Sequence, residues 1–264
     1  MAPANATRTV GNMAVLIVAI LGSSMAFIDG TIVNVALPAL QSGLHASSSN
    51  LQWVVEAYAL SLSSLLLVGG SMGDIYGRRK LFLLGVMLFA AGSAWCGFVG
   101  TINALIVARG VQGIGAAFLV PGSLSLISAA YPAAQRGRAI GTWSGFTAIT
   151  AAVGPVLGGW LVEHISWRAV FSINVPLATL VIWMTIRYVH ESRNTFISPK
   201  LDWPGALLAC AGLGGVTYAL IEGVNGGMSV VIAALAGVAA LAGFVLVEAR
   251  SSSPIVPPTK GFIT

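Results

Sequence analysis

Long apolar segments separated by short polar connections dominate the chain, and their length decides what kind of element they form. Eight of them, at about 13–37, 51–71, 81–100, 104–128, 138–162, 169–189, 204–222 and 229–248, each hold roughly 20 residues with few charges. That is the length an α-helix needs to cross a hydrocarbon core at about 1.5 Å per residue. The connections carry turn punctuation: Pro38 to Asn50, Gly100 to Asn103, Pro132 to Gly137 and Glu163 to Arg168. None leaves room for a soluble domain. The first apolar run continues past Asp29 to Leu37, beyond the roughly 7–15 apolar residues of a cleaved leader, so it reads as a retained first helix. The predicted fold class is all-α integral membrane protein.

Composition agrees with that pattern. The chain is 56% hydrophobic and 8% charged, with mean hydropathy +0.89, whereas a soluble domain carries about 25% charged residues. A net charge of +5 raises the question of nucleic acid, but the cations are spread over the connections rather than gathered with aromatics on a patch. No nucleic-acid partner is expected; the bilayer is. Cys96 and Cys210 both fall within apolar segments, which supports neither a disulfide framework nor a metal site. Trp53, Trp160 and Trp167 stand at segment ends and read as interfacial anchors.

The distribution of cations sets the orientation. Arg8, Arg78, Arg79, Lys80, Arg136, Arg138, Arg187, Arg193, Lys200, Arg250 and Lys260 fall on one side and Arg168 on the other, with Arg109 inside the fourth segment. Positive charge is retained on the cytoplasmic face, so both termini are expected in the cytoplasm of a multi-pass protein of the plasma (inner) membrane. The densest cluster closes the stretch from Gly69 to Lys80, which reads as a charged, glycine-rich turn. Asp74 lies within reach of Arg78 there, or of Arg136 and Arg138, and differences in that pairing between states would make the turn a conformational latch. The plainer reading is a tight polar hairpin. In the fifth segment Gly141 with Gly145, and Gly154 with Gly158, form two small-x-x-x-small pairs suited to close helix approach, with Pro155 removing a backbone donor.

Several of these stretches resemble one family. The pattern of Gly70, Asp74, Gly77, Arg78 and Arg79 is similar to the loop signature of the major facilitator superfamily, with Ile75 where a basic residue often stands. The run Gly154, Pro155, Val156, Leu157, Gly158, Gly159 looks like the fifth-helix motif of that superfamily's antiporters, with Thr150 replacing an upstream glycine. Ile28 to Pro38 is similar to the first-helix motif of the fourteen-span drug:proton antiporters (the EmrB/QacA-like branch), and Leu105 to Ala116 resembles the fourth-helix motif. Leu201 to Gly205 looks like the entry to the extra helix pair of that branch. The resemblance implies a cytoplasmic tail at 1–12, a six-helix bundle at 13–190, a cytoplasmic linker at 191–203, an additional pair at 204–248, and a tail at 249–264 where a C-terminal half would begin. It further implies that this missing half is a partner.

Charges inside the membrane are the candidate chemistry, since each costs at least about 2.5–3.5 kcal/mol at a helix centre. Asp29, Glu56 and Arg109 lie about eight, five and five residues from the outer ends of their segments, depths that agree within roughly 5 Å at 1.5 Å per residue. They are the proton-coupling candidates, for the counterpart of Arg109 in the resembled family is linked to proton movement. The alternative for Asp29 and Arg109 is a static ion pair, and for Glu56 an interfacial role. Glu163, His164 and Glu222 read as boundary residues. No phosphate-binding loop of the G-x-x-x-x-G-K-[ST] type is present, so the energy source implied is a proton gradient, with no cofactor and no catalytic residues. The expected function is proton-coupled export of small lipophilic or cationic compounds by alternating access. A non-transporting fragment or membrane scaffold is the alternative, and an integral membrane enzyme is disfavoured for want of a nucleophile and base pair.

Overall fold

Helix is the element that satisfies every backbone polar group within a single segment, and the apolar segments take that form throughout. The computed structural model describes residues 3–193, 203–223 and 226–250. Nine helices are present among them: α1 Pro3–Leu44, α2 Ser48–Tyr76, α3 Arg78–Phe98, α4 Ile102–Ala130, α5 Ala133–His164, α6 Ala169–Ser172, α7 Asn174–Tyr188, α8 Trp203–Glu222 and α9 Met228–Arg250. The α6 and α7 helices form one span interrupted at Ile173. Six spans are long and apolar enough to cross a membrane, and α2 makes a seventh if its two arms, which meet at 51° between Leu66 and Val68, count as one. The apolar part of α8, Leu207–Glu222, is shorter than the rest, so the seventh predicted span falls short of crossing length on its described residues.

Most boundaries lie outside the predicted ones. The predicted connection after the first segment shrinks to the residues from His45 to Ser47, because α1 runs through Pro38. A proline is tolerated inside a membrane helix when its surroundings re-satisfy the backbone it frees, and α1 continues through Pro38 to Leu44. Residues 3–12 continue α1 instead of forming a separate tail. The predicted glycine-rich turn is likewise mostly helix, and only Gly77 interrupts the passage from α2 to α3, at φ +114, a backbone region that favours glycine. Ser47 and Thr101 cap α2 and α4, accepting bonds from the amides of Asn50 and Ala104. The cations Lys200 and Lys260, Asp202, the rest of the linker from 194 to 202 and the tail from 251 to 264 lie outside the described residues.

Helix α4 is central, packed between α2 and α3 and touching α1, while α1 carries α5 and α7 on its other sides. Close approach of α3 and α4 depends on Gly115, where a Cβ would stand 2.8 Å from Phe89 Cα and 2.9 Å from the Gly85 carbonyl oxygen. Small residues bring membrane helices together in this way because lipid cancels any hydrophobic drive between them. The α8–α9 pair packs against itself and against α2. Glu222, expected as a plain boundary residue, makes that attachment specific: its Oε1 accepts from Ser49 Oγ (2.5 Å) and Trp53 Nε1 (3.1 Å). Trp160 is exposed at a helix end, as an anchor would be, but Trp167 is buried and packs against Gly43 and Phe171.

Candidate functional site

Five helices converge on one polar cluster in the apolar interior. Asp29 of α1 and Arg109 of α4, 0% and 1% exposed, form an ion pair between Oδ2 and Nη1. Arg109 Nη1 also donates to Gln112 Oε1 (2.7 Å), one turn along α4, and its Nε donates to the Val54 carbonyl of α2 (3.0 Å). The second carboxylate oxygen of Asp29 accepts from Gln112 Nε2 (2.7 Å) and Asn174 Nδ2 (3.2 Å). Both amides donate in turn to Ser93 Oγ of α3, at 2.6 and 3.1 Å. Asn174 opens α7 just beyond the break at Ile173, and that break lets the helix begin at the cluster. The rings of Tyr58 and Phe171 flank the guanidinium, 4.3 and 5.9 Å from Arg109 Cζ.

A charge removed from water is tolerable when it is paired and its remaining lone pairs are met, and here both carboxylate oxygens are. The opposite charges of Asp29 and Arg109 balance one another. Beside it lies a cleft of about 560 Å³ between α1, α2, α4 and α5, lined by Phe27, Thr31, Tyr58, Leu62, Val120 and Arg109 among others. Its walls are mostly apolar with a few convergent polar groups, and its volume suits a small organic molecule. Among the described residues no group of three or more His, Cys, Asp or Glu is placed to hold a metal ion.

The structure joins two of the three sequence candidates and leaves the third aside. Glu56 is half-buried and is not among the partners of Arg109. It lies on α2 between Trp53 and Leu60, one turn from each, and those two residues meet α8 at Glu222 and Gly214. The depth argument failed for it because depth fixes height along a helix and says nothing of which face a residue occupies. Gln112, Ser93, Asn174 and Tyr58 were missed. Each is a polar side chain within an apolar span, and for Gln112 the three-residue spacing from Arg109 was a usable signal.

At the cation-rich end, Asp74 pairs with Arg78 at 2.8 Å, one turn away and partly exposed. Arg136 and Arg138 are exposed and take no part in that pair. A second acid, at the start of the predicted cytoplasmic linker, holds the start of α3: Glu191 accepts from the backbone amides of Arg79 (3.1 Å), Lys80 (3.2 Å) and Ser192 (3.0 Å). Arg78 N donates to the Ser192 carbonyl (2.9 Å) and Arg79 Nη2 to the Ile186 carbonyl (3.0 Å). The Glu191 carboxylate lies against Gly77, 2.8 Å from where a Cβ would be, and a Cβ at Gly70 would stand 3.7 Å from Pro121. In α5, Gly154 and Gly158 pack on α1 beside Thr31 and Ile32, a Cβ at Gly159 would stand 3.9 Å from Val35, and Pro155 is exposed. At the other predicted pair, Gly141 and Gly145, an added Cβ would meet no neighbouring element within 4 Å.

The chain belongs to the Major Facilitator Superfamily, whose family model matches residues 19–247. It is 42% identical over 243 residues to the multidrug resistance protein Stp of Mycobacterium tuberculosis (strain CDC 1551 / Oshkosh), covering 90% of this chain and 45% of that protein. It is 38% identical over 246 residues to the puromycin resistance protein pur8 of Streptomyces alboniger, covering 92% and 49%. The tetracenomycin C resistance and export protein of Streptomyces glaucescens is 37% identical over 247 residues, at 92% and 46%. The chain thus spans about half the length of the curated relatives it matches. Among solved structures, a peptide transporter POT in complex with sulfate superimposes with TM-score 0.67 at 14% identity, covering 92% of this chain and 53% of that one. The POT family transporter PepTSo gives 0.63 at 16% identity, covering 91% and 55%. Those two show the fold alone. The family is one of transporters, not enzymes, and the relatives' names place drug resistance and export on their side of the comparison.

Proposed function

We propose that this chain works as the first part of a proton-coupled exporter of small lipophilic or cationic compounds, operating by alternating access. The observation that carries this reading is a fully buried carboxylate–guanidinium pair adjoining a mostly apolar cleft. With Asp29 ionised the pair is neutral and a cation in the cleft meets no net repulsion. With Asp29 protonated the pair carries one positive charge, and a cationic compound is disfavoured. Proton and compound therefore exclude one another, which is the requirement for exchange. A C-terminal half of the kind the fourteen-span branch carries would supply a second bundle against which this one rocks, and the stretch from Gly70 to Arg79, at the junction of α2 and α3, would act as the latch between access states. In everted membrane vesicles, accumulation of tetraphenylphosphonium is expected to follow the imposed pH gradient and to collapse when the gradient is dissipated. Accumulation at the same rate without a gradient would overturn the proposal.

We also place the protein in the inner membrane with both termini cytoplasmic. In a variant with Cys96 and Cys210 replaced by Ser, a cysteine at Ser47 should react with an impermeant maleimide added outside intact cells. One at Gly137, which has open space around it, should react only after the cells are permeabilised. Labelling of both from outside would overturn the assignment.

A further inference from the structure

Tyr58 belongs both to the cleft and to the surroundings of the ion pair. It lines the cleft and is 6% exposed. Its ring covers the Arg109 guanidinium at 4.3 Å, and its hydroxyl donates to the Ala26 carbonyl (3.0 Å), which fixes the ring in place. Arg109 is the one charged side chain among the described lining residues, and Asp29 is not part of that lining. A ligand in the cleft therefore approaches the positive end of the pair. Arg109 uses Nε and Nη1 on Val54, Asp29 and Gln112 along one edge of the guanidinium, and the flat face of the cation is a further place where an anion could settle. The Tyr58 ring occupies that face. Its π-electrons attract the cation and lower the positive potential that reaches the cleft.

From this arrangement we infer that Tyr58 sets the charge selectivity of the cleft: by covering Arg109 it admits lipophilic cations and turns away lipophilic anions of the same shape. The inference rests on the reading of the cleft as the compound-binding site. Tyr58→Phe keeps the ring and loses the bond to Ala26, so its selectivity should stay close to that of the unmodified protein. Tyr58→Leu removes the ring and uncovers the guanidinium. Tyr58→Trp offers a larger π-face to the same cation.

Tetraphenylphosphonium and tetraphenylborate are nearly identical in size and shape and opposite in charge, which makes them suitable probes. Their dissociation constants would be measured by equilibrium binding to the purified protein in non-ionic detergent. The ratio of cation to anion affinity is expected to fall roughly threefold to thirtyfold in Tyr58→Leu, the range that a cation–π contact supplies, to hold in Tyr58→Phe and to rise in Tyr58→Trp. General loosening of the fold would weaken both ions together and leave the ratio alone. If Tyr58→Leu fails to fold, the Trp variant decides. An unchanged ratio in the variants, with binding intact, overturns the role of Tyr58 and leaves the cleft reading standing. Failure of the unmodified protein to bind either ion overturns the cleft reading and the inference with it.

Discussion

Replacing Asp29 by Asn should abolish gradient-driven export and also lower the stability of the fold, two effects that a second substitution separates. Asn retains the size and can still accept from Gln112 and Asn174, but it cannot titrate, and it leaves Arg109 buried without its counter-charge. Breaking a buried pair from one side costs about 3–5 kcal/mol, which thermal unfolding in detergent would register as a clear drop in Tm. The double variant Asp29→Asn, Arg109→Gln restores neutrality and should recover most of that loss. Export should remain absent in both. If the single variant exports at the unmodified rate and with the unmodified pH dependence, Asp29 is a packing residue. If export returns in the double variant along with stability, the pair serves only to hold the helices together.

The second large effect concerns the α3–α4 contact. Gly115→Val should prevent the two helices from reaching their observed distance, since the added Cβ meets backbone atoms of Phe89 and Gly85 that cannot turn aside as a side chain can. Overpacking a dense interior costs typically about 1–3 kcal/mol and sometimes more. Here the same helix carries Arg109 and Gln112, so displacement also pulls the polar cluster apart. Loss of monodisperse protein on size-exclusion chromatography is the expected result. Gly141→Ala and Gly145→Ala provide the control. They carry a small-x-x-x-small spacing but face open space, and each should leave the elution profile unchanged, with at most a gain of about 0.5–1 kcal/mol from helix propensity. A loss of folded protein from either control, matching that of Gly115→Val, would mean that the static contacts do not identify which glycines the packing requires.

That contrast shows how much of the fold was legible. Segment length and apolarity located the described helices apart from the break at Ile173 that divides α6 from α7, because crossing a bilayer imposes a length that composition reveals. Spacing did not reveal which glycine pair was in contact, because a motif names a face without naming the neighbour. The pairing of Asp29 with Arg109 was legible for a similar reason: buried charges of opposite sign at one depth have few alternatives to each other. Glu56 shared the depth and occupied a different face. Ser93 and Asn174 carry no charge, and a neutral polar side chain in an apolar run can satisfy itself on its own helix, as Thr185 does by bonding the Val181 carbonyl. Nothing local to the sequence marks the ones that instead complete a network between helices. Boundaries were misjudged at Pro38 and along Gly69 to Tyr76 because both residue types end helices in water and are tolerated in a membrane bundle.

Glu191 lends the bundle a property that belongs to the chain as a whole. By fastening the segment that leaves α7 to the first amides of α3, across 112 residues of sequence, it closes everything from α3 to α7 into a non-covalent ring. An open string of helices can be drawn out from either end one hairpin at a time. A closed one cannot: withdrawing α7 first requires breaking the carboxylate's bonds to α3, and a pull on the chain beyond Arg193 is delivered to the start of α3 as directly as to the end of α7. Force applied at the exit of this bundle should therefore meet the mechanical resistance of two spans instead of one.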